Sequence, residues 1–411
     1  MSKLVADFDF FDPQTIECPF EFYKALRDQA PVYQLPETNI FMLSKHADIR
    51  RALKDTELFS SDFKHLLQGP EPTPAAAKIY EDGYEQVDTL LTMDPPRHRT
   101  YRNLINKVFS AKRVEKMHGY IEQIADELID GFIDKGECEF IQDFAMPLPV
   151  YVIADQLGVP RSDLDKFKSW SDAFASRLGG MVTAEEEIEN AQLIVEYQLY
   201  MANVIEQRRK EPQDDMISDL ANTQIDDGRL MTMEELLSMV QQLLVAGNET
   251  TTSSIAEGLM NLIQLPGQMK AVLEDMSTMG NAVEEMLRLS SPTAGIWRVV
   301  TRDTEIDEVA IPKDSLLMLR YAAGNRDEEV FDDAENMDVC RRNAKDHIAF
   351  GQGVHFCPGA MLGRKEMNVA FSKILQRLTN IQLAADKNDL THWPNVVLRG
   401  LKMLHITFDK K

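Results

Sequence analysis

A mainly α-helical chain with a small β portion is what the sequence predicts, and three observations predict it. Helical periodicity dominates from about residue 46 to 290. One apolar run opens on a capping box and continues for about 30 residues, roughly 45 Å at the helical rise. Strand-like runs are short and confined to about 30–45 and 297–322.

Each element has its own signal. "PVYQL" and "NIFMLS" read as a strand pair. A turn-rich stretch at 62–76 interrupts the helical pattern, and the polar passage from Glu211 to Arg229 reads as a loop between helices. The longest helix begins at "TMEELLSMV", where Thr232 and Glu235 have capping-box spacing, and is apolar on two faces for most of its length. Its middle, "AGNETTT", puts a glycine, a carboxylate and three β-branched hydroxyl residues where helix propensity is poorest. Packing alone predicts no such defect in a core-crossing helix. "RVVTRDTEIDEVAIPKDSLLMLRYAAG" then reads as short strands with tight turns at Glu305–Glu308 and Pro312–Asp314. A meander follows, then a cysteine turn, then a helix with Ala360, Met367, Phe371, Ile374 and Leu378 on one stripe.

The 411 residues show no linker, repeat or low-complexity segment, and with 44% hydrophobic residues they read as one domain over 1–411. No signal-peptide pattern and no membrane-length apolar run is present, so the reading is a cytoplasmic monomer without a membrane. Cys18, Cys138, Cys340 and Cys357 are far apart, which excludes a disulfide framework and a zinc knuckle. A net charge of −23 argues against nucleic acid. Two stretches run against that charge: Arg97 to Lys116 holds seven Lys or Arg and one acid, and Arg341 to Lys365 holds five and one.

The chemistry concentrates at "FGQGVHFCPGA", residues 350–360. Gly351, Gly353 and Gly359 let the backbone turn sharply and approach something flat. Cys357 lies at the N-terminal end of the last long helix, where the dipole favours a thiolate. A thiolate without a second cysteine suits a single axial bond to haem iron.

This stretch resembles the haem-binding signature of the cytochrome P450 monooxygenases, F-x-x-G-x-x-x-C-x-G, with Phe350, Gly353, Cys357 and Gly359 in place. Three further pieces fall in the family's order. "EEMLR" resembles its E-x-x-R motif through Glu285 and Arg288, a pair that braces the meander beneath the haem. "AGNETT" resembles the oxygen-groove motif, which makes Ala246 and Gly247 the groove and Glu249 and Thr250 the acid–alcohol pair that delivers protons to dioxygen. "DPPRHRTYRNLINKVF" sets His98 and Arg102 at i, i+4 beside an apolar stripe of Tyr101, Leu104, Ile105, Val108 and Phe109. In the resembling family that spacing binds a haem propionate, with Arg298 and His355 as the other usual partners. The resemblance is firm from about Thr92 to Glu366 and implies a cytochrome P450-like fold with a long central helix over haem b.

Two departures stand out. In the meander, Asp332, Ala334 and Asn336 occupy a stretch where relatives often carry arginine, so the brace is completed by Asn336 or from elsewhere. After the ligating cysteine stands Pro358, which has no N–H to donate toward the sulfur. That implies a more electron-rich thiolate, although proline also simply starts helices.

The resemblance implies insertion of one atom of O2 into a C–H bond of a lipophilic small molecule. Expected pocket residues are Leu90, Leu244, Ala246, Ala294, Gly295, Ile296 and Val396, none of them charged. Terpenoid, steroid, fatty acyl and aromatic substrates stay open. Electrons are expected from an acidic ferredoxin or flavodoxin with its reductase, steered by the two basic stretches. The alternatives are a peroxide-driven haem-thiolate enzyme, against which Glu249 and Thr250 argue, and a non-enzymatic haem gas sensor.

Overall fold

Thr232 and Glu235 do close the capping box. The Thr232 N–H donates to Glu235 Oε2 at 2.8 Å, and the Glu235 N–H donates to Thr232 Oγ1 at 3.2 Å. From there the central helix runs unbroken over Met233–Gln264, 32 residues. The computed structural model describes residues 3–68, 72–177 and 182–411. They gather into two compact units, one of Met1–Ser60, Lys116–Leu148 and Glu249–Lys411, the other of Ser61–Glu115 and Pro149–Asn248.

All ten strands among the described residues belong to the first unit. They are β1 (Val32–Gln34), β2 (Ile40–Leu43), β3 (Phe59–Ser60), β4 (Glu137–Glu139), β5 (Ile296–Val300), β6 (Thr304–Ile306), β7 (Val309–Ile311), β8 (Leu316–Leu319), β9 (Leu378–Leu383) and β10 (His405–Lys410). The main sheet has the order β1-β2-β8-β5-β3, with β2 and β8 parallel and the other neighbours antiparallel. Side chains alternate across it, as pleated strands require. Phe41, Leu43, Leu317 and Leu319 face Ile49 and Leu53 of the His46–Lys54 helix. Met42 and Met318 face the other way, into a cluster with Phe22, Tyr23 and Leu26 of the Phe20–Gln29 helix.

The expected strand pair is thus β1 and β2, and the later run is β5 to β8. Its hairpin turns at Asp307 and Glu308, both at positive φ, while Glu305 lies inside β6. Asp314, at φ 63°, makes the second turn. Strands β3, β4, β9 and β10 lie outside the ranges read as β from the sequence. Each is short or half-exposed, with burial that breaks strict alternation, and β9 pairs with β10 through a register shift between Thr407 and Asp409. Nothing in six such residues separates strand from helix end.

The second unit is helical. The stretch at 62–76, read as turns, contains the Lys64–Gln68 helix and the start of Pro74–Tyr80; residues 69–71 lie outside the described residues. The passage from Glu211 to Arg229, read as a loop, contains a seven-residue helix, Met216–Asn222. Its N-cap is Asp215, which accepts from the Ser218 N–H and pairs with Arg208. Glu235 ties this unit together: Tyr101 Oη donates to it at 2.7 Å, and Arg229 grips both of its oxygens. Arg229 and these hydrogen bonds hold the carboxyl down at about 2 against the cost of its desolvation. Among the described residues, no helix is long and apolar enough to cross a membrane.

The glycine that most constrains the first unit is Gly353. At φ 73° it sits in the left-handed region, and a Cβ there would lie 2.5 Å from the carbonyl oxygen of Leu53. Gly353→Ala is therefore expected to cost about 1–3 kcal/mol, read as a lowered thermal midpoint. An unchanged midpoint would mean that the turn and the His46–Lys54 helix do not depend on this close approach.

Candidate functional site

The cysteine turn is built from its backbone. Gly351 (φ 65°) and Gly353 reverse the chain. The Cys357 N–H then donates back to the Phe350 carbonyl at 2.9 Å, and the Ala360 N–H donates to the Cys357 carbonyl at 3.3 Å as the Ala360–Arg377 helix begins. A Cβ on Gly359 would meet Cys357 Sγ at 3.9 Å. Phe350 is fixed between the Phe356 ring, with centroids 6.3 Å apart, and the Arg364 guanidinium, 4.5 Å above its face. Of the four thiols, Cys138 is buried and pushed far up by desolvation, and Cys18 and Cys340 are exposed. Cys357 is half-buried at a helix start.

The cysteine helix packs directly on the central helix. A Cβ on Gly258 would come within 2.7 Å of Phe371, and one on Gly363 within 3.7 Å of Thr251 Oγ1. Despite the poor helix propensity of this run, helical structure continues through Gly247. The polar run is absorbed by hydroxyls bonding one turn back. Ser253 Oγ donates to the Glu249 carbonyl at 2.8 Å, and Ser254 Oγ donates to that of Thr250 at 2.9 Å. Sequence reasoning missed Glu366, the acid that the cysteine helix presses against Thr251. Burial pushes its carboxyl up to about 8, only partly offset by the Thr251 hydrogen bond. Its signal was an acid at helical spacing among Leu362, Val369 and Ala370, all buried.

Each unit carries candidate donors for an anionic group. Arg298, on β5, is buried and gives one N–H to the Trp297 carbonyl at 2.7 Å. It stands close enough to Tyr321 to oppose the rise of that phenol, which burial lifts to about 12. Tyr321 in turn abuts Gly351, where a Cβ would meet its Oη at 3.3 Å, and His355 lies in the same turn. In the second unit, His98 and Arg102 share the Arg97–Val108 helix, whose expected apolar stripe is buried throughout. Desolvation, and then the Arg102 charge, lower His98 to about 4, so its imidazole is neutral at pH 7. A half-buried thiol in a glycine turn, with guanidinium and imidazole donors near it, fits haem: a soft axial ligand, a flat approach and partners for carboxylates.

The meander is held by a buried charge cluster. Glu285 and Arg288, both wholly buried, pair at 2.8 Å on the Met279–Ser290 helix. Arg341 completes the brace, with its Nε 3.0 Å from Glu285 Oε1. Asn336, one of the two sources weighed for this part, contributes only its backbone carbonyl, which accepts from Arg288 and Arg341. Beside it, Glu284 binds Arg364 at 2.6 Å and His347 at 3.1 Å. The basic stretch from Arg341 to Lys365 is therefore partly internal, since Arg341 is committed to the buried Glu285 and Arg364 to the half-buried Glu284. Arg342 and Lys345 are exposed.

The expected pocket residues divide between the units. Leu90 and Leu244 are buried in the second; Ala246 is exposed, and Gly247 faces Ile153. In the first, Ala294 packs with Phe22, Tyr23 and Val396 and donates to the Val397 carbonyl at 2.7 Å. Ile296 opens β5, and Gly295 is required by packing, since a Cβ would lie 2.7 Å from the Leu319 carbonyl. Ala294 and Val396 line a cavity together with Arg320 and Arg399.

The chain matches the cytochrome P450 family over residues 181–406. Cytochrome P450 107B1 of Saccharopolyspora erythraea is 34% identical over 98% of this chain and 98% of its own. Vitamin D(3) 25-hydroxylase of Pseudonocardia autotrophica is 32% identical over 97% of this chain and 96% of its own. The solved structure of cytochrome P450 CYP109Q5 from Chondromyces apiculatus aligns with a TM-score of 0.87 at 32% identity, covering 99% of this chain and 100% of that one. The chain belongs to the cytochrome P450 family. It is a haem-thiolate monooxygenase that uses O2, a lipophilic substrate and electrons from a redox partner, with haem b as cofactor.

Two measurements test the site's electrostatics. Arg341→Met leaves Glu285 one cation short and is expected to cost about 3–5 kcal/mol, whereas Asn336→Ala keeps its carbonyl and should stay within about 0.5 kcal/mol. Equal losses in denaturant titrations would refute this division. For Glu366 the native pKa is raised from an ordinary 4.5 to about 8. Its stability contribution is thus complete below pH 4.5 and lost as pH rises toward 8. Glu366→Gln should therefore melt increasingly above the parent from pH 5 to 8; a pH-independent difference would show that Glu366 is not held protonated.

Proposed function

We propose that Cys357 is the axial ligand, and that Phe350, Gly351 and Gly359 shape the surface it presents. The observation that carries this is the half-buried thiol of a two-glycine turn, held by the Cys357 N–H bond to Phe350 at a helix start. His98, Arg102, Arg298 and His355 are the proposed donors to the haem propionates. When bound, haem supplies the iron that activates dioxygen for insertion of one oxygen atom into a C–H bond. Ala246 and Gly247 form the proposed oxygen groove. Glu249 holds a proton at its carboxyl and passes it by way of the Thr250 hydroxyl. Glu285 and Arg288 keep the meander, and with it the cysteine turn, in place.

The substrate is read as a lipophilic molecule lying against Leu90, Leu244, Ala246, Ala294, Gly295, Ile296 and Val396. Relatives named for vitamin D(3) and steroid oxidation support that class. An acidic ferredoxin or flavodoxin is the proposed electron donor. Arg97, Arg99, Lys107 and Lys112, together with Arg342 and Lys345, are exposed to meet it.

The test is the carbon monoxide difference spectrum of the reduced holoprotein. The parent is expected to show the strongly red-shifted Soret band of a thiolate-ligated haem, and Cys357→Ala to lose it. A variant that keeps the shifted band would remove Cys357 from the iron.

A further inference from the structure

Four of the six buried arginines among the described residues are matched to acids. Arg27 pairs with Glu328, Arg288 and Arg341 with Glu285, and Arg326 with Glu335. Arg320, at the end of β8 and 2% exposed, is different. Among the described residues no carboxylate lies within ion-pair distance of it. Its hydrogen bonds go to neutral groups: the Val396 carbonyl at 2.6 Å, the Met318 sulfur at 3.4 Å and the Tyr23 hydroxyl. Its Nε has no partner. The rings of Phe10 and Tyr23 lie 5.3 and 5.1 Å from the guanidinium carbon and recover only part of the cost of burying a cation.

Arg320 lines a cavity, and a second guanidinium, that of Arg399, lines it too. Unlike Arg320, Arg399 has an acid, since its Nε lies 3.9 Å from Glu257 Oε1, and its other nitrogens meet the Glu17 carbonyl at 2.9 Å and His392 Nδ1 at 3.2 Å; its Nε makes no hydrogen bond. The other walls are mixed: Phe10, Ala294, Val396 and Leu398 are apolar, and Thr15, Tyr23 and Asn395 carry polar groups. Trp393, 62% exposed, also lines it. The free volume, ≈ 20 Å³, takes a group of one or two waters' size and not a whole lipid. What fits is a small monovalent anionic group joined to an apolar body.

We propose that this cavity binds the carboxylate of a lipophilic carboxylic acid, with Arg320 as its anchor, Arg399 beside it, and Ala294 and Val396 in the cavity wall. This names the substrate class and rests on the reading above that Ala294 and Val396 border the substrate. The same chemistry would hold a free small anion, and the experiment separates the two sources.

Dodecanoate and dodecan-1-ol, which differ in the head group, are titrated into the holoprotein by calorimetry below their aggregation limits. Thermal melts are run in parallel with and without sodium formate at constant ionic strength. Dodecanoate is expected to bind about ten- to a hundredfold more tightly than the alcohol. In Arg320→Met, which keeps volume and removes the cation, that advantage should vanish while alcohol binding is kept. Arg320→Lys, which keeps the charge and loses the planar fork, should show a reduced advantage, and it stands in if the methionine variant does not fold. No preference in the parent, or the same preference in the variants, overturns the proposal. So does a melt raised by formate in the parent alone without any preference for the acid, which would mark a free-anion site. Because binding is read without turnover, and the carbon monoxide spectrum is taken on the same preparation, failure here is separable from failure of the monooxygenase reading.

Discussion

Everything beneath the cysteine turn depends on one carboxylate with no access to water. Glu285 is wholly buried, and an uncompensated charge there would cost several kcal/mol. It is satisfied by Arg288 from its own helix, by Arg341 from the meander, and by the Asp338 N–H at 2.9 Å. The two guanidiniums then spend their remaining donors on meander and loop carbonyls: those of Asn325, Ala334 and Asn336 for Arg288, and those of Asp332, Asp333 and Asn336 for Arg341. A segment without regular structure acquires through them the backbone satisfaction that a helix or sheet would otherwise supply. Asn325 passes the order on, since its side chain accepts from the Ile348 N–H at 2.7 Å, just before the turn begins.

The turn adds a second constraint of a different kind, steric instead of electrostatic. Gly351 must clear Tyr321 and Gly353 must clear the Leu53 carbonyl, so the turn is fitted between the short Tyr321–Gly324 helix and the His46–Lys54 helix before any ligand is considered. The thiol is thereby placed by backbone geometry, and its neighbours determine only its chemistry. Pro358 belongs to that chemistry: it stands before the Gly359 N-cap, outside the first turn of the Ala360–Arg377 helix, and has no N–H to offer the sulfur.

Legibility followed the range of the interactions. The central helix, the β1–β2 pair and the cysteine turn were readable because capping boxes, alternation and glycine spacing are local signals. The partner of Glu285 was not, because Arg341 lies 56 residues away and looks like one more member of a basic stretch. The same stretch was overread as a surface patch for that reason. Charge in a sequence does not say whether it faces water or an acid on another helix. Glu366 was missed for the converse reason: an acid on an apolar stripe is visible, yet its protonation depends on burial against Thr251, which only packing creates. Strands β9 and β10 stayed hidden because each is six residues long and becomes a strand only through distant partners, with β10 lying between β4 and β9.

The contrast between Glu285 and Arg320 then carries weight. A chain of net charge −23 has acids to spare, and it has matched one to each of Arg27, Arg288, Arg326 and Arg341 deep in the first unit. Burying one more arginine on aromatic rings, beside a second guanidinium, runs against that pattern and against the cost of desolvating a cation. Packing alone does not explain it, since methionine or leucine would fill the same volume without the cost. An arginine kept there, with an unbonded Nε and a small free space before it, is stabilised by what enters that space. The acid missing from the sequence around Arg320 is thus expected on the ligand, where it discriminates among lipophilic molecules that an apolar wall alone could not tell apart.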